Sequence, residues 1–198
     1  FSAFNQAALA RHAPLPMPSA AHPQAGTRLV ADWTNEYVLK LAQGESIRLD
    51  GETLRLGLQQ HWRWNDVVLG IELPLLIAGG GVLDSGIETW HDWFGLPNGG
   101  REQMARDEYR YIYERNGATM LDLEGGDTVF GDLRVDAALC GIGGGCAKAM
   151  LQLPTGDKDR LLGGGLGAAG WYERAYALDA GGRWTGVFGA GVSALQAD

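Results

Sequence analysis

From residue 29 onward the chain alternates apolar and polar residues with a period of two, a pattern that fits strands and not helices. In Thr53 to Trp64 one face carries Leu54, Leu56, Leu58, Trp62 and Trp64, and the other Thr53, Arg55, Gly57, Gln59, His61 and Arg63. Val67, Leu69, Ile71, Leu73 and Leu75 share a face, as do Leu133, Val135, Ala137 and Leu139. Ala147, Ala149, Leu151 and Leu153 form another apolar row, and Trp184, Phe188, Ala190, Val192 and Ala194 a last one. Tyr109, Tyr111 and Tyr113 alternate with Arg110, Ile112 and Glu114, and Leu29, Ala31, Trp33, Tyr37 and Leu39 keep one parity less cleanly. Half-buried strands of this kind belong to an antiparallel all-β protein.

The connections narrow the choice. Asn65-Asp66, Asn116-Gly117, Gly141 to Gly145 and Ala180 to Gly182 read as tight turns rich in residues that accept positive φ. Residues 40–52, 77–107, 124–128 and 154–163 read as longer links. Short and long connections alternate, which sorts the turns to one edge and the loops to the other. That sorting is the pattern of an up-and-down transmembrane β-barrel, with about nine strands visible here and one short loop helix. The polar parity, Arg55, Gln59, His61, Arg63, Asp132, Arg134, Asp136 and Lys148, is too charged for a dry core and suits a hydrated lumen. Trp64, Tyr113, Tyr176 and Trp184 lie beside the tight turns on the apolar parity. They fit an aromatic girdle at headgroup level, or alternatively the core aromatics of a soluble barrel.

Composition excludes several classes. The chain has 24 acidic against 16 basic residues, a net charge of −8, which argues against nucleic acid or an anionic membrane surface as partner. Its 31 glycines are scattered without collagen periodicity, and they suit turns and thin walls better than helices. The most apolar stretch, Val67 to Leu83, is interrupted by Glu72, Pro74 and Gly79 to Gly81, so no transmembrane helix is expected. Residues 1–26, with Pro14, Pro16, Pro18 and Pro23, read as an extended lead-in to a barrel domain over 27–198. The chain starts at Phe1 and stops on a strand pattern, so it reads as a piece of a longer protein, cut short at the C-terminus.

Four motifs could carry chemistry. Asp84 to Pro97 looks helical, with Asp84 or Ser85 as cap, Ile87, Trp90 and Phe94 on one face, Trp93 beside them, and Gly95 and Pro97 as stops. His91 and Asp92 sit within it, but adjacent helix residues point apart and do not make a catalytic pair. The favoured reading is a loop helix folded over the barrel mouth or lying at the membrane interface. Gly165 to Gly170 matches GxGxxG but lacks the preceding parallel strand and following helix that dinucleotide binding needs. Cys140 and Cys146 flank a turn on one parity and are read either as a cross-hairpin disulfide or as two free thiols. The few His and Cys show no metal spacing, and neither a metal nor another cofactor is expected.

Leu49-Asp50-Gly51-Glu52-Thr53, Gly70-Ile71-Glu72-Leu73-Pro74, Gly80 to Asp84 and, most specifically, Ile87 to Arg101 resemble a family of uncharacterised Gram-negative proteins known only as a domain of unknown function. Leu151 to Asp157 resembles a strand-end motif of outer-membrane proteins that handle small solutes. The resemblance runs over nearly the whole chain, with a degenerate match at Asn5 to Pro16. It implies a signal-bearing outer-membrane β-barrel whose members extend beyond this chain's end, and implies neither an activity nor catalytic residues.

The expected function is therefore a structural barrel of the bacterial outer membrane or a passive channel for a small solute, and not an enzyme. Its partners would be the lipid bilayer and that solute; oligomeric state is left open. The rival readings are an outer-membrane enzyme acting on lipid through His91, and a soluble lipocalin-like barrel with its apolar face inward.

Overall fold

The alternating runs pair into a single antiparallel sheet that curls into an open half-barrel, shown by a computed structural model. It describes residues 25–101, 105–179, 181 and 183–195, so residues 1–24 of the expected lead-in lie outside it, as do Ala180 and Gly182 of the last turn. The strands are β1 (Gly26–Ala42), β2 (Glu45–Trp64), β3 (Val67–Gly79), β4 (Arg110–Arg115), β5 (Ala118–Glu124), β6 (Asp127–Phe130), β7 (Leu133–Ile142), β8 (Gly145–Leu153), β9 (Gly167–Ala177) and β10 (Thr185–Leu195). Among the described residues one α-helix, α1 (Asp84–Phe94), follows β3.

β1, β2, β3, β7, β8, β9 and β10 stand side by side in chain order as a meander. β6 and β7 both pair with β3, at residues 75–78 and 67–72, so together they act as one interrupted strand. Pro74 explains the interruption. Its carbonyl accepts the Gly131 N–H at 2.9 Å, so the side of the strand where proline lacks a donor faces the break between β6 and β7. The sequence pattern put Asp127 and Thr128 in the 124–128 link, whereas the structure makes them the start of β6, separated from β7 at this break.

Two of the expected long links are corrected. Residues 40–52 belong to β1 and β2, whose pairing continues from Gly26↔His61 to Ala42↔Glu45 and turns tightly at Gln43-Gly44. Between β5 and β6 only Gly125 and Gly126 intervene, in place of a long 124–128 link. The β1–β2 hairpin thus projects past the rest of the sheet at the end where β3 leaves for α1. The β4–β5 hairpin extends the sheet at that same end. β4 takes the edge of β2 over residues 45–50, just beyond the stretch that β3 occupies.

The Asn116-Gly117 turn is consequently not on the short-turn edge. It meets the Gln43-Gly44 tip, where the Asn116 N–H donates to the Gly44 carbonyl at 2.6 Å. Both of its residues have positive φ, 51° and 79°, the pair of values a two-residue hairpin turn requires. Three connections remain on the opposite edge: Asn65-Asp66, Gly143-Gly144 and residues 178–184. The sorting survives in altered form, with small turns at one end and, at the other, a tall hairpin, the 80–126 insertion and the 154–166 loop.

Close strand approach depends on small residues at a few points. A Cβ on Gly145, where β8 begins, would run into the backbone carbonyl of Glu173 on β9. Gly145→Ala should therefore lower unfolding stability by about 1–3 kcal/mol through forced separation of β8 and β9. Denaturant titration followed by tryptophan fluorescence measures this, and an unchanged midpoint would contradict it.

Candidate functional site

Cross-strand partners share a face, so the registers assign every strand residue to one side of the sheet. Val67, Leu69 and Ile71 of β3 line up with Leu139, Ala137 and Val135 of β7, then with Ala147, Ala149 and Leu151 of β8. The row continues through Tyr172, Gly170 and Ala168 of β9 to Ala190, Val192 and Ala194 of β10. On the other flank Leu54, Leu56 and Leu58 of β2 stand between Ile77, Leu75 and Leu73 of β3 and Trp33, Ala31 and Leu29 of β1. This apolar face is the convex, outer one, and it is bare. Leu29 is 71% exposed, Trp62 55%, Leu69 47% and Val192 80%.

The concave face is buried and carries most of the charge, set among the apolar side chains Val68, Leu76, Ala138 and Met150. Arg55 is 1% exposed, Gln59 1%, Glu72 4%, Arg134 5% and Gln152 3%. Register explains why they meet: Asp32↔Arg55, Gln59↔Glu72, Glu72↔Arg134 and Arg134↔Gln152 are direct neighbours on consecutive strands. Asp32 Oδ2 takes Arg55 Nη1 at 2.7 Å, and Arg55 pairs through its other nitrogen with Glu72. Gln59 Nε2 donates to Glu72 Oε2 at 3.1 Å, and Arg134 Nη1 lies 3.8 Å from Glu72 Oε1. Arg134 Nε then donates to Gln152 Oε1 at 3.4 Å, and Gln152 Nε2 to Asp132 Oδ2 at 2.8 Å. The ribbon alternates in sign, from Asp32 through Arg55, Glu72 and Arg134 to Asp132, so each charge sits beside its opposite. Such pairing is what makes burial of ionised groups tolerable.

The remaining residues expected on the lumen side fall on this concave face too. His61 and Asp136 flank Gly70, with His61 Nε2 3.5 Å from Asp136 Oδ1. Lys148 Nζ pairs with Glu173 Oε1 at 2.5 Å, and Trp171 Nε1 donates to Glu173 Oε2 at 3.2 Å. Arg63 has the same parity near the short-turn edge and is exposed. Glu173, Trp171, Asp32 and Glu36 belong to this lining but were absent from the sequence-derived set, because their strands alternate poorly. The register Cys146↔Glu173 recovers Glu173. Cys140 and Cys146 face each other across the β7–β8 hairpin with their sulfurs bonded, 2.10 Å apart.

One carboxylate gathers several backbone donors of the 154–166 loop at the mouth of this face. Asp132 accepts N–H donors from Gly156 at 2.9 Å and Gly164 at 2.7 Å through Oδ1, and from Gly165 at 3.3 Å through Oδ2. Leu162, fully buried, packs there on Leu76 and Ala78. The GxGxxG segment runs from this loop directly into β9, and no helix opens there.

The aromatic positions need one correction. Trp64 and Tyr176 lie on the outer face near the short turns and Trp184 beside them, at 76%, 44% and 69% exposure. Tyr113 does not join them. It pairs with Ile47 on the parity of the buried Tyr111, and it stands at the far tip of the sheet, where its hydroxyl donates to Glu45 Oε1 at 3.2 Å. The inward ring of Tyr111 instead donates its hydroxyl to Glu36 Oε2 at 3.0 Å, and with Tyr109 it covers Gly51.

The loop helix departs from expectation in its cap and in its position. Neither Asp84 nor Ser85 caps it. Glu52 of β2 does so from outside, accepting the backbone N–H of Val82 at 3.1 Å and of Leu83 at 2.5 Å. Gly95 ends it in the left-handed conformation, φ 64°. Asp84 is turned to the sheet, where it binds Asn35 Nδ2 at 3.1 Å, Arg101 Nη1 at 2.7 Å and the Asp107 N–H at 2.9 Å. Asn35 and Glu52 are partners on the outer parity, so α1 lies on the convex side of the tall hairpin and not over the mouth. His91 Nδ1 is 2.9 Å from Asn98 Oδ1, while Asp92 is exposed. No group of three or more metal-ligating side chains occurs among the described residues.

At the opposite edge, Asp179 holds the β9–β10 turn. It accepts the Trp184 N–H at 2.8 Å and Arg183 Nε at 3.2 Å. The Trp184 backbone donor, aided by the Arg183 side chain, holds its carboxyl below the usual carboxylate range.

The features thus define a curled antiparallel wall with charge inside and hydrocarbon outside. The chain belongs to the family described as a protein of unknown function (DUF3187), whose model matches residues 1–163. No curated protein matches it, and no solved structure does.

Removing Glu72 would leave Arg55 and Arg134 buried around a lost carboxylate. Glu72→Ala should cost about 3–5 kcal/mol of stability. Arg115→Ala, which breaks an exposed pair with Glu45, should cost under about 1 kcal/mol. Parallel denaturant titrations of the two variants check this, and equal small losses would contradict the ribbon's role.

Proposed function

We propose that this chain forms the wall of a bacterial outer-membrane β-barrel, with its convex face against lipid and its concave face lining the lumen, in a structural role or as a passive route for a small polar solute. The observation that carries the reading is the inverted polarity of the sheet: charges buried on the inside, leucines and tryptophans bare on the outside. A soluble protein rarely leaves so continuous an apolar surface in water. The band has a fitting height. Outward residues of β3 run from Val67 to Ile77, about 33 Å of strand at ~3.3 Å per residue, and a tilt of about 40–45° reduces that to roughly the 25 Å apolar band of such barrels. No described helix is long and apolar enough to cross a membrane, which leaves strands as the elements that would do so. The bonded Cys140–Cys146 pair agrees with an oxidising compartment such as the periplasm.

Neighbouring opposite charges along the lumen wall favour a lining without strong ion selectivity. A lipocalin-like barrel would need the reverse polarity, since an apolar ligand is held by an apolar interior. A lipid-acting enzyme with His91 as base finds no support in its surroundings, where the imidazole meets Asn98.

Fractionation and bilayer recording test the proposal. The protein should stay with the membrane through high-salt and alkaline washes and come off only in detergent, and release by salt alone would overturn the membrane reading. Folded protein in a planar bilayer should pass small solutes. Silence there would remove the channel role and leave the structural one.

A further inference from the structure

We infer that α1 is a lipid-binding element that seats this wall at the headgroup boundary of the outer leaflet; the inference rests on the membrane reading above. The helix is amphipathic the wrong way round for a globular protein. Its buried residues are Asp84 and Glu88, turned toward the sheet, while Trp90, Trp93 and Phe94 are 50%, 78% and 63% exposed. An ordinary surface helix buries its apolar stripe and exposes its charges. Here the charged face is turned to the wall: Asp84 meets Asn35 of β1, and the Arg101 guanidinium, paired with Asp84, lies over the Tyr37 ring of β1, 5.1 Å from its centre, while Glu88 pairs at 2.5 Å with Arg106 of the segment that follows α1.

The height of the helix fits the same occupant. It docks on β1 and β2 at Asn35, Tyr37, Asp50 and Glu52, directly beyond the last apolar outward pair, Trp33 and Leu54. Trp33 marks the transition itself, its indole N–H donating to Glu52 at 2.8 Å. The polar patch of the wall at that level is therefore hidden by α1, which replaces it with indole and phenyl rings continuous with the apolar face below. Tryptophan is the side chain most suited to that depth, with an apolar body and one polar N–H. The ligand class is thus the glycerol and upper acyl region of a bilayer, taken along the helix side and not in a pocket.

Environment-sensitive labels on single introduced thiols test this, because the native cysteines are bonded to each other. Full-length chain carrying Trp93→Cys, or Leu73→Cys in the middle of the apolar face, is labelled with a nitrobenzoxadiazole dye. Each is refolded into phosphatidylcholine vesicles with bromines placed near the lipid carbonyls or near the chain ends. The Trp93→Cys label should lose emission chiefly to the shallow bromines, and the Leu73→Cys label chiefly to the deep ones. Quenching at Leu73→Cys with none at Trp93→Cys would overturn the role of α1 and leave the barrel reading standing. Quenching at neither would overturn both. As a second variant, Asn35→Ala removes the β1 partner of Asp84 while leaving the rings in place, and it should broaden the depth reported at Trp93→Cys. A depth unchanged by it would contradict docking through the charged face.

Discussion

The sign-alternating ribbon from Asp32 through Arg55, Glu72 and Arg134 to Asp132 decides the orientation of everything else. Asp32, Arg55, Glu72 and Arg134 are placed by strand register on β1, β2, β3 and β7, and Asp132, just before β7, is joined to them through Gln152 of β8. Because strand side chains alternate, drawing these charges inward turns every neighbouring leucine, valine and tryptophan outward. A register slip of one residue would carry Arg55 and Glu72 to the outer face. Pairing of opposite charges thus fixes the register as well as the polarity. On a buried face, paired polar side chains avoid leaving any one ion without a partner.

The two ends of the wall have different jobs. One end carries only tight connections and a disulfide-closed hairpin. The other carries the tall β1–β2 hairpin, the β4–β5 hairpin stacked on its edge, α1 outside and the 154–166 loop inside. Asp132 links the two sides of this end: it ends the charge ribbon and also gathers the N–H groups of Gly156, Gly164 and Gly165. Glu52 does the corresponding work on the convex side, joining Trp33, Asn35 and the start of α1. Two carboxylates therefore anchor the two ornaments of the same rim, one to each face.

Much of this was legible in the sequence because strand period and strand face are the same information. The alternation in Thr53 to Trp64 places Arg55, Gln59 and His61 together without any structure, and the register agrees. What the period cannot show is how a strand ends. Residues 40–52 hold Lys40, Gln43, Gly44 and Glu45, and look like a loop, yet backbone pairing with each other and with β4 keeps them extended. Tyr113 was misplaced by the same gap in information, since a tyrosine has an apolar ring and a polar hydroxyl and serves either parity. The helix was visible through Ile87, Trp90 and Phe94, but its docking was not. A helix whose charged side is buried reads from sequence like any other amphipathic helix, and only Asn35 and Glu52, far away along the chain, together with Arg101 just beyond its end, reveal which side is covered.

If the bare convex face meets hydrocarbon, a single outward charge placed on it distinguishes hydrocarbon from water. Leu73 sits near the middle of the band, between Leu58 and the β7 side, and is outward and exposed. The measurement is the unfolding free energy of Leu73→Arg against the parent protein in lipid vesicles. Lipid contact predicts a loss of about 2–4 kcal/mol, the cost of an arginine near the bilayer midplane. A change within about 0.5 kcal/mol, as for an ordinary water-exposed position, would contradict it.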